Sequence, residues 1–325
     1  MPDAYQAVLV LSFGGPEKHD DVIPFLENVL RGKNVPRERM IEVAGHYYHF
    51  DGRSPINDQN RQLIAALSKE LDEHGPKLPV YWGNRNWHPF LAATLRQMRD
   101  DGIERAIVFV TSAFSSYSGC RQYLEDIGRA RAEVGPDAPR LDKLSGFHNH
   151  PGFIDSVAAR IEEAFEQIPP ARRPAARLLF TAHSVPVAMA QSSPYLEQLK
   201  EACSLVAARL KRHAWDLVFQ SRSGPPSQPW LEPDIGKALL CAREEPGPGG
   251  DVIVSPIGFI SDHMEVLYDL DTEAMQIAKQ AGLNMVRAGT PGVHPRFVSM
   301  IRELIAASSV TVCAPDCCPP PARRP

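Results

Sequence analysis

The first apolar stretch of the chain is AVLVLSFGGP, residues 7–16. Residues 7–12 form the short apolar run that is typical of a buried parallel strand, and a glycine pair with a proline ends it. Similar runs follow, and segments with helical periodicity separate them, which predicts an α/β protein whose ligands contact the loops after the strands. The further predicted strands are 79–82, 105–110, 177–181, 215–219, 251–254 and 284–287, and amphipathic helices are predicted at 57–74 and 194–213.

Two short motifs recur at an offset of 144 residues. HPGFI at 150–154 returns as HPRFV at 294–298, and VTSAF at 110–114 resembles VSPIGF at 254–259. Because both pairs share one offset, we predict two similar Rossmann-like lobes, each with a parallel sheet flanked by helices, and an active-site cleft between them. The predicted domains are a first lobe at 1–148, with its boundary between 113 and 150, a second lobe at 149–308 and a cysteine-containing tail at 309–325.

The composition argues against several classes of protein. The 325 residues include 35 basic and 39 acidic ones, a formal net charge of -4, so no nucleic-acid partner is expected. No stretch approaches the roughly 20 apolar residues of a transmembrane segment, and the N-terminus lacks the pattern of a secretory signal. We therefore predict a cytoplasmic protein, in which six cysteines are more typical of free thiols or metal ligands than of disulfides.

The exit of the first strand carries no phosphate-binding motif. The segment GGP at 14–16 matches neither GxGxxG nor GxxxxGK[ST], so no nucleotide is implied. Two interpretations of this segment stay open. It is either a tight turn with proline at the first position of a helix, or a place where the backbone approaches a ligand closely.

A histidine and a row of acidic residues follow two later strands. His183 stands at the end of a strand, where a neutral imidazole can accept a proton or bind a metal, although an isolated histidine is often structural. The acidic residues are spaced three, four and four apart, which places them along one face of an α-helix. That face is either solvated, with no nearby lysine or arginine, or it conducts a divalent cation and protons. The acidic residues are Asp262, Glu265, Asp269 and Glu273.

Four segments together resemble the ferrochelatase family, over about residues 7 to 306. They are VLSFGGP at 10–16, RSPIN at 53–57, TAHSVP at 181–186 and GFISDHMEVLYD at 258–269. YWGNRNWHP at 81–89 is most similar to the soluble actinobacterial type, whose members are coproporphyrin ferrochelatases. The resemblance implies a chelatase-like fold and insertion of Fe(II) into coproporphyrin III to give Fe-coproporphyrin III in haem b biosynthesis.

The resemblance also implies the roles of the metal-site residues. His183 and Glu265 correspond to the catalytic pair that handles the inner iron and the pyrrole protons, and Asp269 and Glu273 to the outer part of the iron path. This chemistry is reasonable because metallating a tetrapyrrole removes two N–H protons while a desolvated dication arrives, and a histidine with a carboxylate provides a base and a metal site. His263 points elsewhere on the helix and is expected to be structural.

The implied porphyrin contacts lie in the first half of the chain. Ser54 and Tyr123 match positions that contact the porphyrin or its propionates, and Arg31 is a cationic partner for a propionate. A helix cap for Ser54 and a solvated surface charge for Arg31 stay open as alternatives. Phe13 replaces a tyrosine that can bind iron in some members, so it can only pack on the macrocycle, and His46 replaces a propionate-binding arginine.

Three of the six cysteines crowd the C-terminus. They are Cys313, Cys317 and Cys318. Adjacent cysteines rarely form a relaxed disulfide and exposed thiols oxidise readily, which favours metal ligation. A [2Fe-2S] cluster requires four thiolates, and the resemblance supplies Cys120, because some ferrochelatases carry a cluster ligand in the corresponding loop. A zinc site with the same ligands and unliganded thiols stay open. Cys203 and Cys241 are predicted to be buried in the core.

Three alternative functions are compatible with the sequence. They are a protoporphyrin IX ferrochelatase, a cobalt or nickel chelatase of another tetrapyrrole, and a non-catalytic porphyrin- or haem-binding module. The expected partners are the porphyrin and ferrous iron, with transient contact to neighbouring enzymes of the haem pathway.

Overall fold

The computed structural model describes residues 4–32, 35–224, 227–244, 250–310, 313–314 and 317–320. Its strands are β1 (Ala7–Ser12), β2 (Val80–Asn84), β3 (Arg105–Val110), β4 (Arg140–Lys143), β5 (Arg177–His183), β6 (Asp216–Gln220), β7 (Asp251–Ser255) and β8 (Asn284–Arg287). They form two four-stranded parallel sheets, ordered β2-β1-β3-β4 and β6-β5-β7-β8. The second sheet therefore repeats the strand order of the first, which confirms the predicted pair of similar α/β lobes.

Helices connect the strands, as expected for parallel pairs, which need a crossover. The α-helices are α1 (Val22–Leu30), α2 (Arg37–Tyr48), α3 (Ile56–His74), α4 (Leu91–Asp100), α5 (Gln122–Val134), α6 (Pro151–Glu166), α7 (Val187–Gln191), α8 (Tyr195–Arg209), α9 (Ile235–Glu244), α10 (Met264–Val266), α11 (Met275–Gln280) and α12 (Pro295–Ala306). Tyr117–Arg121 and Leu267–Ala274 are π-helical, and His19–Asp21 and Arg173–Ala175 are short 3₁₀ turns. Within the described residues, no helix is long and apolar enough to cross a membrane.

The predicted strands agree closely with the structure except at one sheet edge. β1, β3 and β8 have the predicted bounds, and the other predicted strands shift by one or two residues at their ends. The strand that the sequence did not reveal is β4, whose residues Arg-Leu-Asp-Lys lack an apolar run. Among the described residues, β4 is an edge strand that pairs only with β3, so its side chains need not be buried on both faces.

Both repeated motifs occupy equivalent places in the two sheets. The VTSAF and VSPIGF motifs begin at the ends of β3 and β7, and each of these strands is third in the order of its sheet. His150 and His294 precede α6 and α12, and their Nδ1 atoms accept hydrogen bonds from the main-chain N–H two residues later, at 3.1 and 3.3 Å. Proline then occupies the first helical position of each helix. The motif is therefore a histidine cap on equivalent helices.

The described chain divides into two compact units. One contains the first sheet, with residues up to 111, 122–145 and 301–310. The other contains the second sheet, with residues 112–121, 146–300 and the described residues from 313 onward. Each sheet has its own apolar core, formed in the first unit by residues such as Leu9 and Val108, and in the second by residues such as Val254 and Leu270.

Candidate active site

His183 is the last residue of β5, and its hydrogen bonds determine which nitrogen is available. Its Nδ1 lies within hydrogen-bonding distance of the main-chain oxygen of Ser184. Because a carbonyl oxygen can only accept, the neutral ring carries its proton on Nδ1 and keeps a lone pair on Nε2. Nε2 lies 3.8 Å from Oε1 of Glu265. The hydroxyl of Tyr195 donates to the main-chain oxygen of His183 at 2.9 Å, which fixes the end of the strand.

Glu265 lies in a helix that changes its hydrogen-bonding pattern. The single turn of α10 runs directly into the π-helix Leu267–Ala274, and α11 continues it. His263 precedes α10 and accepts a hydrogen bond from the N–H of Glu265 through Nδ1, at 3.2 Å. Burial lowers the pKa of His263, which keeps its ring neutral and able to act as this acceptor. His263 thus has a structural role at the start of the helix.

The predicted row of four acidic residues is wrong in two respects. Asp262 lies before the helix, and its Oδ1 pairs with Arg287 at 3.0 Å, so an arginine does offset part of the charge. Arg287 also pairs with Asp271. The remaining three residues lie on a mixed α- and π-helix rather than on one α-helix. Sequence spacing missed both facts because Arg287 is distant in the chain and a π-helix has no clear sequence signature.

Asp269 is the most perturbed carboxyl group of this region. Its pKa is raised to about 7, chiefly by burial and then by the negative charges of Glu265 and Glu273, while a hydrogen bond from Ser221 opposes the change. The amide Nε2 of Gln220 lies 3.4 Å from Oδ2 of the same carboxyl group. A carboxyl group with this pKa exchanges protons readily near neutral pH. Burial, followed by the charge of Asp234, also raises the pKa of Glu273.

In the first unit, Phe13 and Tyr123 are linked by an arginine that the sequence analysis did not single out. The Arg85 guanidinium lies 4.3 Å from the ring centre of Tyr123 and 5.8 Å from that of Phe13, and it pairs with Asp126. Tyr123 is 4% exposed, and burial raises the pKa of its hydroxyl. Arg85 lies in the YWGNRNWHP segment, so its position near a strand end could have identified it.

The other implied porphyrin residues of this unit differ in exposure. Ser54 is 3% exposed. The N-cap residue of α3 is Pro55, and the helix start has no side-chain cap hydrogen bond. The helix-cap alternative for Ser54 is therefore not supported. Arg31 is exposed and donates to Oδ1 of Asn28. A Cβ atom on Gly15 would lie 2.9 Å from Cβ of Ser54, so the close approach at the GGP segment is to protein, and no helix begins at Pro16.

Neutral amide groups surround the exits of β1 and β2. Asn84, which pairs with Ser12 in the ladder, donates from Nδ2 to Oδ1 of Asn57 at 3.3 Å and to the main-chain oxygen of His88 at 2.9 Å. Nε1 of Trp82 donates to Oδ1 of Asn84 at 3.0 Å. These bonds satisfy both ends of the fully buried Asn84 side chain, and Nδ2 of Asn57 also donates to Oε1 of Glu17 at 2.8 Å.

The four proposed cluster cysteines all lie in the second unit. Cys120 is 8% and Cys318 3% exposed, and the Sγ atoms of Cys317 and Cys318 are 3.6 Å apart. The pKa of Cys318 is raised to about 12, chiefly by burial, with further contributions from a hydrogen bond with Cys317 and from the charges of Cys317, Cys120 and Cys313. Arg121 donates to the main-chain oxygens of Cys317, at 2.9 Å, and of Ala314.

The two remaining cysteines behave differently from each other. Cys203 is fully buried in α8, as predicted, and burial raises the pKa of its thiol. Cys241 in α9 is exposed, so the prediction of a core position was wrong there. Leu239 of α9 faces the core, with no exposed surface, and the helical rotation of about 100° per residue turns Leu240, which is 50% exposed, and Cys241 away from it. As arranged, no group of three or more His, Cys, Asp or Glu side chains could hold a metal ion among the described residues.

Solved structures with a similar fold are chelatases. SirB from Bacillus subtilis with Fe3+ has a TM-score of 0.59 and 12% identity, covering 94% of this chain and 97% of that one. CbiX, described as the terminal enzyme of siroheme biosynthesis in denitrifying bacteria, has a TM-score of 0.53 and 17% identity, covering 93% and 99%. The fold is therefore that of the two-lobed α/β chelatases.

Sequence relatives narrow this class to one family. The ferrochelatase family model matches residues 5–309. The ferrochelatase of Rhodopirellula baltica is 53% identical, covering 99% of this chain and 95% of that protein. The coproporphyrin III ferrochelatases of Nocardia farcinica and Streptomyces coelicolor are 53% and 44% identical, covering 93% and 100% of this chain and 88% and 97% of theirs. The chain belongs to the ferrochelatase family, and it is a metal chelatase, which is a lyase.

Proposed function

We propose that this ferrochelatase inserts Fe(II) into coproporphyrin III and that His183 and Glu265 carry out the metal and proton chemistry. The substrate proposal is supported by relatives that are named coproporphyrin III ferrochelatases, at 44% to 53% identity over most of the chain. The observation that carries the mechanism is the 3.8 Å separation between Nε2 of His183 and Oε1 of Glu265. At that distance, one proton or one metal ion can contact both side chains after small rotations.

The reaction releases two protons for each iron that enters. The porphyrin loses both pyrrole N–H protons, and the dication replaces their charge, so the net charge of the ring with its metal is unchanged. Nε2 of His183 has the free lone pair that a base requires, because Nδ1 is held by the oxygen of Ser184. The carboxylate of Glu265 neutralises the imidazolium that forms and offers oxygen to the incoming iron.

Protons leave and iron arrives along the acidic residues of the helix. Asp269, with a pKa of about 7, accepts a proton and releases it at neutral pH without a large free-energy step. Glu273, whose pKa is also raised by burial, follows one turn farther along the helix. We assign these two residues to the outer part of the path, where a carboxyl group can exchange a water ligand of iron for a protein oxygen.

For the porphyrin, we propose contacts from Phe13, Arg31, Ser54 and Tyr123. Phe13 presents an aromatic ring beside Arg85, and Arg31 offers an exposed cation for a propionate. Ser54 and Tyr123 are almost fully buried, so we expect their substitution to change the porphyrin KM less than substitution of Arg31 does.

We further propose that Cys120, Cys313, Cys317 and Cys318 hold a [2Fe-2S] cluster. Side-chain rotation is required, because these four described residues do not form a metal-binding group as arranged. Two thiolates bound to one tetrahedral metal at about 2.3 Å lie about 3.8 Å apart, and the observed distance of 3.6 Å between Cys317 and Cys318 is close to this value. The thiols of Cys120 and Cys313 are near enough to influence Cys318 electrostatically. Four thiolates also suit zinc, which makes metal analysis the deciding measurement.

Steady-state kinetics with two porphyrins test the substrate proposal. We expect a higher kcat/KM for coproporphyrin III than for protoporphyrin IX, because additional propionates can bind cationic side chains. Equal or reversed values would favour the protoporphyrin IX alternative. The same assay with Co(II) or Ni(II) in place of Fe(II) tests the other chelatases, and repeated turnover excludes a non-catalytic binding module.

Metal analysis of anaerobically purified protein tests the cluster. We expect about two irons and two sulfides per chain, with visible absorption, and loss of both in Cys318→Ser. Cys241→Ser is the matched control, because this exposed cysteine lies outside the proposed ligand set. A colourless protein that contains only zinc would contradict the assignment.

A further inference from the structure

Gln220 connects the strand beside His183 to the helix that carries Glu265. It is the last residue of β6, it is 1% exposed, and it pairs with His183 in the ladder between β5 and β6. Its Nε2 donates to the main-chain oxygen of Glu265 at 3.0 Å and lies 3.4 Å from Oδ2 of Asp269. We propose that Gln220 is a positioning residue that holds the π-helix against β6 and thereby sets the separation between Glu265 and His183.

The π-helix needs such a contact because of its own geometry. A π-helix is rare in proteins, and its side-chain directions differ from those of the α-helices on either side. Glu265 lies in the single α-turn before the π-helix Leu267–Ala274, so the direction of its carboxylate depends on where that junction is held. Gln220 binds the backbone at this junction rather than a side chain, which fixes the helix itself.

Two consecutive residues of the β6 exit hold two places on the helix. Gln220 contacts the main chain of Glu265, and the hydroxyl of Ser221 donates to Oδ2 of Asp269. Ser221 has a φ of 61°, in the left-handed region that residues other than glycine seldom adopt. Strained backbone of this kind persists where surrounding contacts demand it, which agrees with a fixed link between strand and helix.

The orientation of the Gln220 amide follows from its two acceptors. If the group were turned over, Oε1 would face the oxygen of Glu265 and the carboxyl group of Asp269, and three acceptors would repel one another. In the observed orientation, Oε1 is buried and has no hydrogen-bond partner among the described residues. A buried unpaired oxygen is unfavourable, so the contacts made by Nε2 must outweigh it.

The equivalent position of the first sheet provides a matched comparison. Asn84 ends β2 opposite Ser12, as Gln220 ends β6 opposite His183, and both amide side chains are buried. Asn84 donates to Asn57 and to the main chain of a neighbouring loop, which both belong to the first unit. Loss of either amide removes buried hydrogen bonds, but only Gln220 is expected to affect Leu267–Ala274.

Hydrogen exchange and kinetics on Gln220→Met test the proposal, which rests on the proposed roles of His183 and Glu265. Methionine keeps the volume of the side chain and removes the donor. We expect amide exchange in residues 267–274 to become about tenfold faster, and kcat to fall about 10- to 100-fold with the porphyrin KM within about twofold. Asn84→Leu, with a comparable loss of thermal stability, should leave exchange in 267–274 unchanged.

Gln220→Leu is the second variant, because it removes the donor without adding a charge or a protonatable group beside Asp269. It should match Gln220→Met in both measurements if the donor is what matters. Unchanged exchange in 267–274, or faster exchange with normal kcat, would overturn the proposal. Full activity of His183→Ala would instead refute the catalytic pair, and the exchange data would still report whether Gln220 holds the helix.

Discussion

The carboxyl edges of the two sheets differ in charge although their strand order is the same. In the first sheet, β1 and β2 end on the pair Ser12 and Asn84, and the charged groups nearby are ion-paired, Glu17 with Arg61 and Arg85 with Asp126. In the second sheet, β5 and β6 end on His183 and Gln220, and carboxyl groups lie next to them. Equivalent backbone positions therefore carry different chemistry. Under the proposed function, the repeated fold supplies the location, and the side chains of one repeat supply the proton and metal groups.

The electrostatics of the two edges show the same contrast. The buried cation of the first unit, Arg85, is paired with Asp126 and stacked on Tyr123, so its charge is neutralised locally. In the second unit, Asp269 is buried near two other carboxyl groups, and its pKa is about 7. An edge built from paired charges is stable but inert, whereas an edge with a carboxyl group that titrates near neutral pH can transfer protons.

The largest expected difference between the edges is catalytic. His183→Ala should lower kcat by about 10²- to 10⁴-fold, because it removes the base, while the porphyrin Kd from fluorescence quenching stays within about threefold. Phe13→Ala should mainly raise the porphyrin KM, because Phe13 has no group that binds metal or protons. Near-normal kcat in His183→Ala would show that the second edge does not carry the chemistry.

The pH dependence of stability should distinguish the edges next. Asp269 has a pKa raised from 3.8 to about 7, so the folded state binds more protons than the unfolded state between these values. The stabilisation from this group is fully present below about pH 4 and is lost as the pH rises through 7. At about 1.4 kcal/mol per pKa unit, the loss in the free energy of unfolding is at most about 4 kcal/mol. Urea unfolding of metal-free Asp269→Asn should therefore show a relative gain at pH 8 over pH 4.

Asp58 of the first unit is the control with the opposite sign. A hydrogen bond from Arg53 lowers its pKa, so its stabilisation is present at neutral pH and is lost as the pH falls through its folded-state pKa. Asp58→Asn should cost a little stability at pH 7 and nothing in strong acid. The same pH trend in both variants would contradict the contrast between the edges.

Alanine substitutions at two glycines, one at each edge, should distinguish a loss of stability from a loss of catalysis. A Cβ atom on Gly258 would lie 2.7 Å from Cα and Cβ of Ala182, the residue before His183, and one on Gly14 would lie 2.9 Å from Cβ of Asn84. Gly14 also has a φ of 81°. Alanine at either position should destabilise the protein by about 1–3 kcal/mol in urea unfolding. After correction for the unfolded fraction of the protein, only Gly258→Ala should lower kcat. Equal corrected kcat values for the two variants would argue against a catalytic effect at Gly258.

The smallest effects are expected at the histidine caps of the sequence repeat. His150→Ala and His294→Ala should each cost about 1 kcal/mol at pH 8, because each removes an acceptor for a helix N–H. Burial lowers the pKa of His294, so its contribution is lost as the pH falls and the ring is protonated. Unfolding curves at pH 8 and pH 5 measure this. An unchanged cost for His294→Ala at pH 5 would exclude a neutral histidine as the cap.

Local patterns predicted the strands and the repeat well. β1 and β3 are continuous apolar runs because they are interior strands of a parallel sheet, and such runs are visible without any tertiary information. The offset of 144 was informative because histidine caps and strand exits depend on neighbouring residues in the chain. The edge strand β4 was not predicted, because its residues are exposed or half-buried and do not form an apolar run in the sequence.

Contacts between distant residues could not be predicted in the same way. The pairing of Asp262 with Arg287, the contact of Gln220 with the backbone of Glu265 and the stacking of Arg85 on Tyr123 all join segments that are far apart in sequence. The Gln220 position could have been suspected, because it directly follows a predicted strand, but its partner could not. The exposure of Cys241 likewise depends on which face of α9 packs inward.

The sequence alone determined which residue types stand at the strand exits and that two halves share one pattern, because apolar periodicity, turn residues and caps act over a few neighbouring residues. Only the tertiary structure decided that Nε2 of His183 faces Glu265, that the following helix is π-helical, and that Asp269 is buried enough to titrate near pH 7. These properties depend on distance and burial, and both arise only when remote segments pack together.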